Sequence, residues 1–184
     1  MADGDSPLPH VIEPASSGRA KCRGCGQSIA KDALRFGERQ PNAFGEGEMT
    51  IWLHLRCAAL KRPEPFLETL AETERDDIGD AGELKTIAEN GIAHRRLPRI
   101  NGASLAPTGR AKCRSRRETI DKDTWRVELV YFEGYRFEPS GYIHAACALE
   151  YFETRDIVDR VAYFSPDLEP RELEALTEAL AQQR

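Results

Sequence analysis

The chain repeats itself, and the repeat constrains its fold more than any other feature. SGRAKCRGCGQSIAKDALR begins at Ser17 and TGRAKCRSRRETIDKDTWR begins at Thr108. The two share Gly-Arg-Ala-Lys-Cys-Arg, then an Ile, a Lys-Asp pair and an Arg, all at an offset of 91. Further on, WLHLRCA from Trp52 matches YIHAACA from Tyr142 at an offset of 90. Each half closes with an acidic segment of helical spacing, around Ile78, Leu84 and Ile87 and then around Leu168, Leu173, Leu176 and Leu180. Chance similarity does not preserve order, spacing and residue type over three blocks, so the chain is two copies of one small module.

The composition of the joining segments sets the expected boundaries. Residues 1–15 carry three Pro and no periodicity, and read as a flexible N-terminal arm. The first module is placed at 16–96 and the second at 108–184. LPRINGASLAP, residues 97–107, has two Pro, one Gly and one Asn and reads as a linker. Ala33–Gly37, Ile51–Leu53 and Trp125–Phe132 are expected as strands; WRVELVYF is rich in β-branched and aromatic residues. Cys57–Lys61 and Cys147–Thr154 are expected to start helices. Glu169–Gln182 reads as an amphipathic helix, with Leu173, Leu176 and Leu180 on one face and Pro170 in the first turn. A loop is expected at Arg39–Glu48. The fold class expected is α+β: two tandem small modules, each a short antiparallel sheet with flanking helices.

Five Cys cannot all pair within one chain, and in a reducing compartment they point to metal ligands or free thiols. In the first module Cys22, Cys25, His54 and Cys57 give Cys-x2-Cys-x28-His-x2-Cys. Cys-x2-Cys brings two thiolates to one ion from a tight turn, which Gly24 and Gly26 relieve. Three thiolates and one imidazole form a closed tetrahedral set suited to structural zinc, with no position left for substrate. In the second module Cys113, His144 and Cys147 match, but Arg116 stands where Cys25 would, and Arg cannot ligate a cation. That site has three readings. It is metal-free and held by packing, it binds zinc with water or with Glu118 or Asp121 as fourth ligand, or it is an open zinc of catalytic type.

Net charge is −5, which argues against a general nucleic-acid coat protein, but the charge is segregated. Residues 91–117 hold eight Lys or Arg and no acid, whereas 63–90 and 118–184 are acidic. The basic stretches can line a polyanion site. No stretch approaches the roughly 20 apolar residues of a membrane helix. The N-terminus MADGDSPLPH lacks the features of a secretory signal, so an intracellular protein is expected.

SGRAKCRGCGQSIAKDALR followed by WLHLRC resembles the zinc finger of poly(ADP-ribose) polymerases, the nick-sensing type. The resemblance covers residues 17–62 and extends toward 90; the second module resembles a degenerate copy. It implies recognition of nicked, gapped or broken DNA in a nucleus or bacterial cytoplasm. It implies phosphate contacts by Arg19, Lys21 and Arg35 and base stacking by Phe44, with Met49 assisting. In the second module Arg110, Lys112 and Arg126 take the matching basic positions, Arg116 is an additional phosphate contact, and Tyr135 and Phe137 are loop candidates. At 184 residues the chain is too short for a polymerase domain beside two fingers, so catalysis is not expected. Two other functions remain open: a protein-interaction module that kept the zinc scaffold without DNA binding, and an enzyme using an open zinc in the second module.

Overall fold

The computed structural model describes residues 9–182. These form two compact units, one reaching to Glu89 and including the turn Glu133–Arg136, the other formed by Asn90–Phe132 and the chain from Phe137 onward. The architecture is α+β, with one three-stranded antiparallel sheet in each half of the sequence.

In the first unit β1 (Val11–Pro14), β2 (Leu34–Pro41) and β3 (Glu48–His54) lie in the order β1-β2-β3. Residues 11–14, expected within a flexible arm, are instead an edge strand, because Val11 pairs with Gly37 and Glu13 with Arg35, which buries Ile12. Residues 1–8 lie outside the described part. The β2–β3 register sets Arg35 opposite His54 and Phe36 opposite Leu53. Three helices follow: α1 (Leu55–Lys61), α2 (Pro63–Glu72) and α3 (Ala81–Ala93). Pro63 occupies the first turn of α2, where its missing N–H is not needed. The core is Phe36, Leu53, Phe66 and Leu84, all buried, with the Phe36 and Phe66 rings edge-to-face at 5.7 Å.

The second unit pairs β4 (Ile100–Leu105), β5 (Trp125–Glu133) and β6 (Arg136–His144) in the order β4-β5-β6. The segment 97–107, expected as a linker, is thus a structural element. Pro98 sits in a short 3-10 turn, Leu97–Arg99, and the following residues pair with β5 around a register shift between Ile100 and Ala103. Gly102 lies inside that bulge, so a residue that reads as a breaker serves as a bend in a strand. The expected helix at 147–154 is a 3-10 turn, Ala145–Cys147, continued by α4 (Ala148–Phe152). Glu153 stops it in the left-handed region at φ 58°. Two further helices are α5 (Val158–Tyr163) and α6 (Pro170–Ala181).

α6 starts with a capping box: the Glu169 backbone N–H donates to Glu172 Oε2 at 2.9 Å, and the Glu169 side chain accepts from the Glu172 backbone. Leu176 and Leu180 are buried in the core with Ile143, Cys147 and Phe152, while Leu173 packs at its margin. Leu176→Ala should therefore lower unfolding stability by about 2–5 kcal/mol in denaturant titration, and Leu173→Ala by clearly less.

Candidate metal centre and nucleic-acid interface

The chain from Lys21 to Ser28 folds into a tight knuckle. Cys22 N–H donates to the Gln27 carbonyl at 2.9 Å, Gly26 N–H to that of Cys22 at 2.8 Å, and Ile29 N–H to that of Ala20 at 2.8 Å. Gly26 takes φ +75°, and a Cβ on Gly24 would fall 2.9 Å from Cys57 Cβ, so both glycines are required by the turn. Arg23 N–H donates to the Trp52 carbonyl at 2.9 Å and sews the knuckle to β3. His54 ends β3, and Cys57 follows in the first turn of α1.

The ligand atoms of Cys22, Cys25, His54 and Cys57 all lie within 4.8 Å of one another. Nδ1 of His54 is 3.4 Å from Cys25 Sγ and 3.9 Å from Cys57 Sγ. A tetrahedral zinc with bonds of roughly 2.0–2.3 Å needs ligand spacings of this size. The four residues therefore suit a closed zinc site, in which the ion cross-links knuckle, strand and helix.

The cluster is tuned to keep its thiolates. Hydrogen bonding from Cys57 is the largest influence on Cys22, and burial opposes it. The backbone N–H groups of His54, Cys25 and Gly24 add to it, and the thiol is held down to about 5. Cys25 is held to about 6, first by Cys57 and then by the Gln27 backbone, again against burial. Burial works against a charged His54, but the neighbouring thiolates outweigh it and raise its pKa. Lys61 is buried and donates from Nζ to the Gly24 carbonyl at 2.9 Å. Burial pushes its pKa down to about 8 although the cysteine thiolates pull it up.

The second unit repeats the knuckle bond for bond. Cys113 N–H donates to the Glu118 carbonyl, Arg117 N–H to that of Cys113 and Ile120 N–H to that of Ala111, each at 2.8 Å. Arg117 adopts φ 65° where the first knuckle has Gly26. Cys113, His144 and Cys147 are all buried, with ligand atoms within 4.8 Å of one another. Arg116 donates from Nη2 to Glu150 Oε2 at 2.7 Å, and the charge of the Cys147 thiol also acts on it. A cation–carboxylate pair thus stands where the first unit has a fourth thiolate.

The basic residues divide into two groups. Arg19, Lys21, Arg110 and Lys112 are exposed. Arg35 and Arg126 are only 7% and 9% exposed. The Arg35 guanidinium lies 3.5 Å from the Trp52 ring centroid and donates to Glu13 Oε1 at 3.0 Å. That of Arg126 lies 3.7 Å from the Tyr142 centroid, and its Nε donates to Ser104 Oγ at 3.3 Å. These two stacked arginines are held by their own sheets. The aromatic at the matching strand position was the sequence signal for that arrangement.

Phe44 is 79% exposed on the β2–β3 loop. The loop is built around Asn42, whose N–H donates to the Gly47 carbonyl and whose Oδ1 accepts from Phe44 N–H at 3.0 Å. Its Nδ2 donates to the Glu46 carbonyl at 3.2 Å. Asn42 belongs to the Pro, Asn and Gly cluster that marked this loop in the sequence. Met49 pairs with Gln40 in the sheet. The Tyr135 ring, on the turn grouped with the first unit, meets Phe44 edge-on at 5.3 Å. Phe137 packs on Phe132 at 5.1 Å.

Residues 13–94 match the family described as the poly(ADP-ribose) polymerase and DNA-ligase Zn-finger region. Poly [ADP-ribose] polymerase 1 of Caenorhabditis elegans is 41% identical over 61 residues, which are 33% of this chain and 6% of that protein. Poly [ADP-ribose] polymerase 1 of Oryza sativa is 30% identical over 146 residues, 75% of this chain and 14% of that protein. Polynucleotide 3'-phosphatase ZDP of Arabidopsis thaliana is 25% identical over 183 residues, 86% of this chain and 26% of that protein. The chain thus spans only a small part of the length of the curated relatives it matches.

Purified protein should carry one zinc per chain. Cys25→Ser should remove it and unfold the first unit, while Cys147→Ser should leave the metal count unchanged; mass spectrometry under native conditions reads both. The depressed thiol pKa values fix the sign of the pH response. A thiolate favoured by the fold contributes stability that is full above the ordinary value of 9.0 and lost as pH falls through about 5. Zinc should stay bound at neutral pH and be released, with loss of structure, as pH is lowered through that range, followed with a chromogenic zinc indicator.

Proposed function

With residues 13–94 a zinc finger of the poly(ADP-ribose) polymerase and DNA-ligase type, we propose that the chain binds DNA at strand breaks or other non-canonical structure. Backbone contacts and apolar stacking provide the recognition. One observation carries the reading: a phenylalanine ring, Phe44, is held in solvent by a loop that Asn42 closes on itself. A large apolar side chain fixed outward marks a contact surface. A break exposes base faces that intact duplex hides, and an aromatic ring covering one contributes about 1–3 kcal/mol.

Arg19 and Lys21 flank the first ligand of the knuckle and are exposed. They suit phosphate contacts that position the protein without reading sequence. Arg110, Lys112 and the arginine edge at Arg116 offer the same chemistry in the second unit, which we read as a degenerate copy of the finger. Arg35 and Arg126, stacked on aromatics, present at most one edge to a phosphate and otherwise stiffen the sheet. We assign the chain no catalytic step. The reaction in the names of the longer relatives is not carried over to it.

The test is a titration of zinc-loaded protein against a nicked hairpin and the same hairpin sealed, at several salt concentrations. The nicked form should bind tighter. Phe44→Ala should weaken it by about tenfold or more while leaving the sealed form nearly unchanged. Arg19→Gln and Lys21→Gln should weaken both forms alike, each flattening the salt dependence by roughly 0.9 in log–log slope. Absence of any salt-sensitive DNA binding would overturn this reading in favour of a protein-interaction module.

A further inference from the structure

The second unit contains a cleft of about 550 Å³ lined by Arg96, Arg99, Arg114, Tyr131, Ser140 and Tyr151. Among the described residues, three guanidinium groups and three hydroxyls line it, and no carboxylate does. The residues come from separate places: the turn ahead of β4, the knuckle, β5, β6 and α4. The fold, rather than local sequence, brings them together.

Two of the arginines are positioned. Arg96 Nη1 donates to the Tyr151 carbonyl at 2.9 Å, and its guanidinium lies 4.7 Å from the Tyr151 ring centroid. The Arg114 backbone is fixed by its bond to the Tyr142 carbonyl at 2.8 Å. Its side chain runs across Gly141, where a Cβ would fall 2.8 Å from Arg114 Nε; Gly141 also has φ +97°. The matching position in the first module is Ile51, a buried core residue, so the glycine that Arg114 crosses is particular to the second copy.

Three cations lining one cleft repel each other unless an anion joins them. The guanidinium fork matches a phosphate better than any other common anion. The volume falls within the range of sites that take small organic ligands, roughly 300–1,000 Å³. Tyr131, 43% exposed, adds an aromatic face beside the charged lining.

We propose that this cleft binds a phosphomonoester carried on a nucleoside. Arg99 and Arg114 clamp the phosphate, Arg96 supplies a third, pre-positioned charge, and Tyr131 lies against the base. The site uses no residue of the Phe44 loop and does not rest on the stacking proposed there. The same chemistry has two sources, a free nucleotide or the terminal phosphate of a DNA strand.

Calorimetry on the zinc-loaded full chain, with deoxyadenosine monophosphate as probe and deoxyadenosine as control, tests the first source. A hairpin ending in a 5'-phosphate compared with the same hairpin ending in a 5'-hydroxyl tests the second. The phosphate should improve binding about tenfold or more in at least one arm. Arg99→Gln with Arg114→Gln should abolish that gain while leaving the melting temperature and zinc content unchanged. Gly141→Ala, which crowds Arg114, should reduce it. Phe44→Ala should leave nucleotide binding intact, which separates failure of this site from failure of break recognition. No phosphate-dependent gain in either arm, or a gain that survives the double substitution, would overturn the proposal.

Discussion

One backbone hydrogen bond recurs in both units, and the site geometry depends on it. The residue after the first knuckle cysteine donates to the aromatic residue near the end of the third strand: Arg23 to Trp52 at 2.9 Å and Arg114 to Tyr142 at 2.8 Å. This bond places the backbone N–H of His54 3.3 Å from Cys22 Sγ, and that of His144 3.4 Å from Cys113 Sγ, across 32 and 31 residues of chain. One such bond contributes only about 1 kcal/mol, which does not offset the entropy of closing so long a loop. Each unit therefore needs a second fastening. The first has the chemistry for zinc. The second has buried thiols, a buried imidazole and the Arg116–Glu150 pair.

The two fastenings carry different charge. Three thiolates and a neutral imidazole around Zn²⁺ would leave one net negative charge at a site whose Cys22 and Cys57 are buried. The buried Lys61, bonded to Gly24, supplies the balancing ammonium from the next element. In the second unit the cation is Arg116 itself, paired with Glu150 at the surface. The first site thus has a buried lysine beside it, while the second keeps its cation nearer solvent.

The repeat, the ligand set and most strands were legible in the sequence because each rests on residue identity at fixed spacing. Trp125–Phe132 was expected as a strand and is β5; Glu169–Gln182 was expected as a helix and holds α6. What was not legible was pairing. Val11–Pro14 and Ile100–Leu105 are strands only because β2 and β5 lie beside them, and their prolines and glycine read locally as breakers. The stacking of Arg35 on Trp52 and of Arg126 on Tyr142 was hidden for the same reason. A basic residue in a motif reads as a surface charge until the register sets it over an aromatic ring. Gly141 acts through backbone geometry, at φ +97°, which one sequence does not display.

Comparison of the matched positions shows a direction in the divergence of the second unit. Glu13, opposite Arg35 in the first sheet, is replaced by Ser104, opposite Arg126 in the second. A hydroxyl accepts from the guanidinium but does not neutralise it, and the Ser104 hydroxyl in turn donates a hydrogen bond to Glu128 Oε1 at 3.1 Å. Cys25 gives way to Arg116, Ile51 to Gly141, and the stretch 91–117 carries no acid. Each change alone has a local explanation in packing. Together they replace a cysteine by a guanidinium and leave Arg114 running across a position with no side chain. Around its knuckle the second unit thus carries arginine chemistry at positions where the first carries a thiol and an aliphatic side chain, and that local change favours anionic ligands.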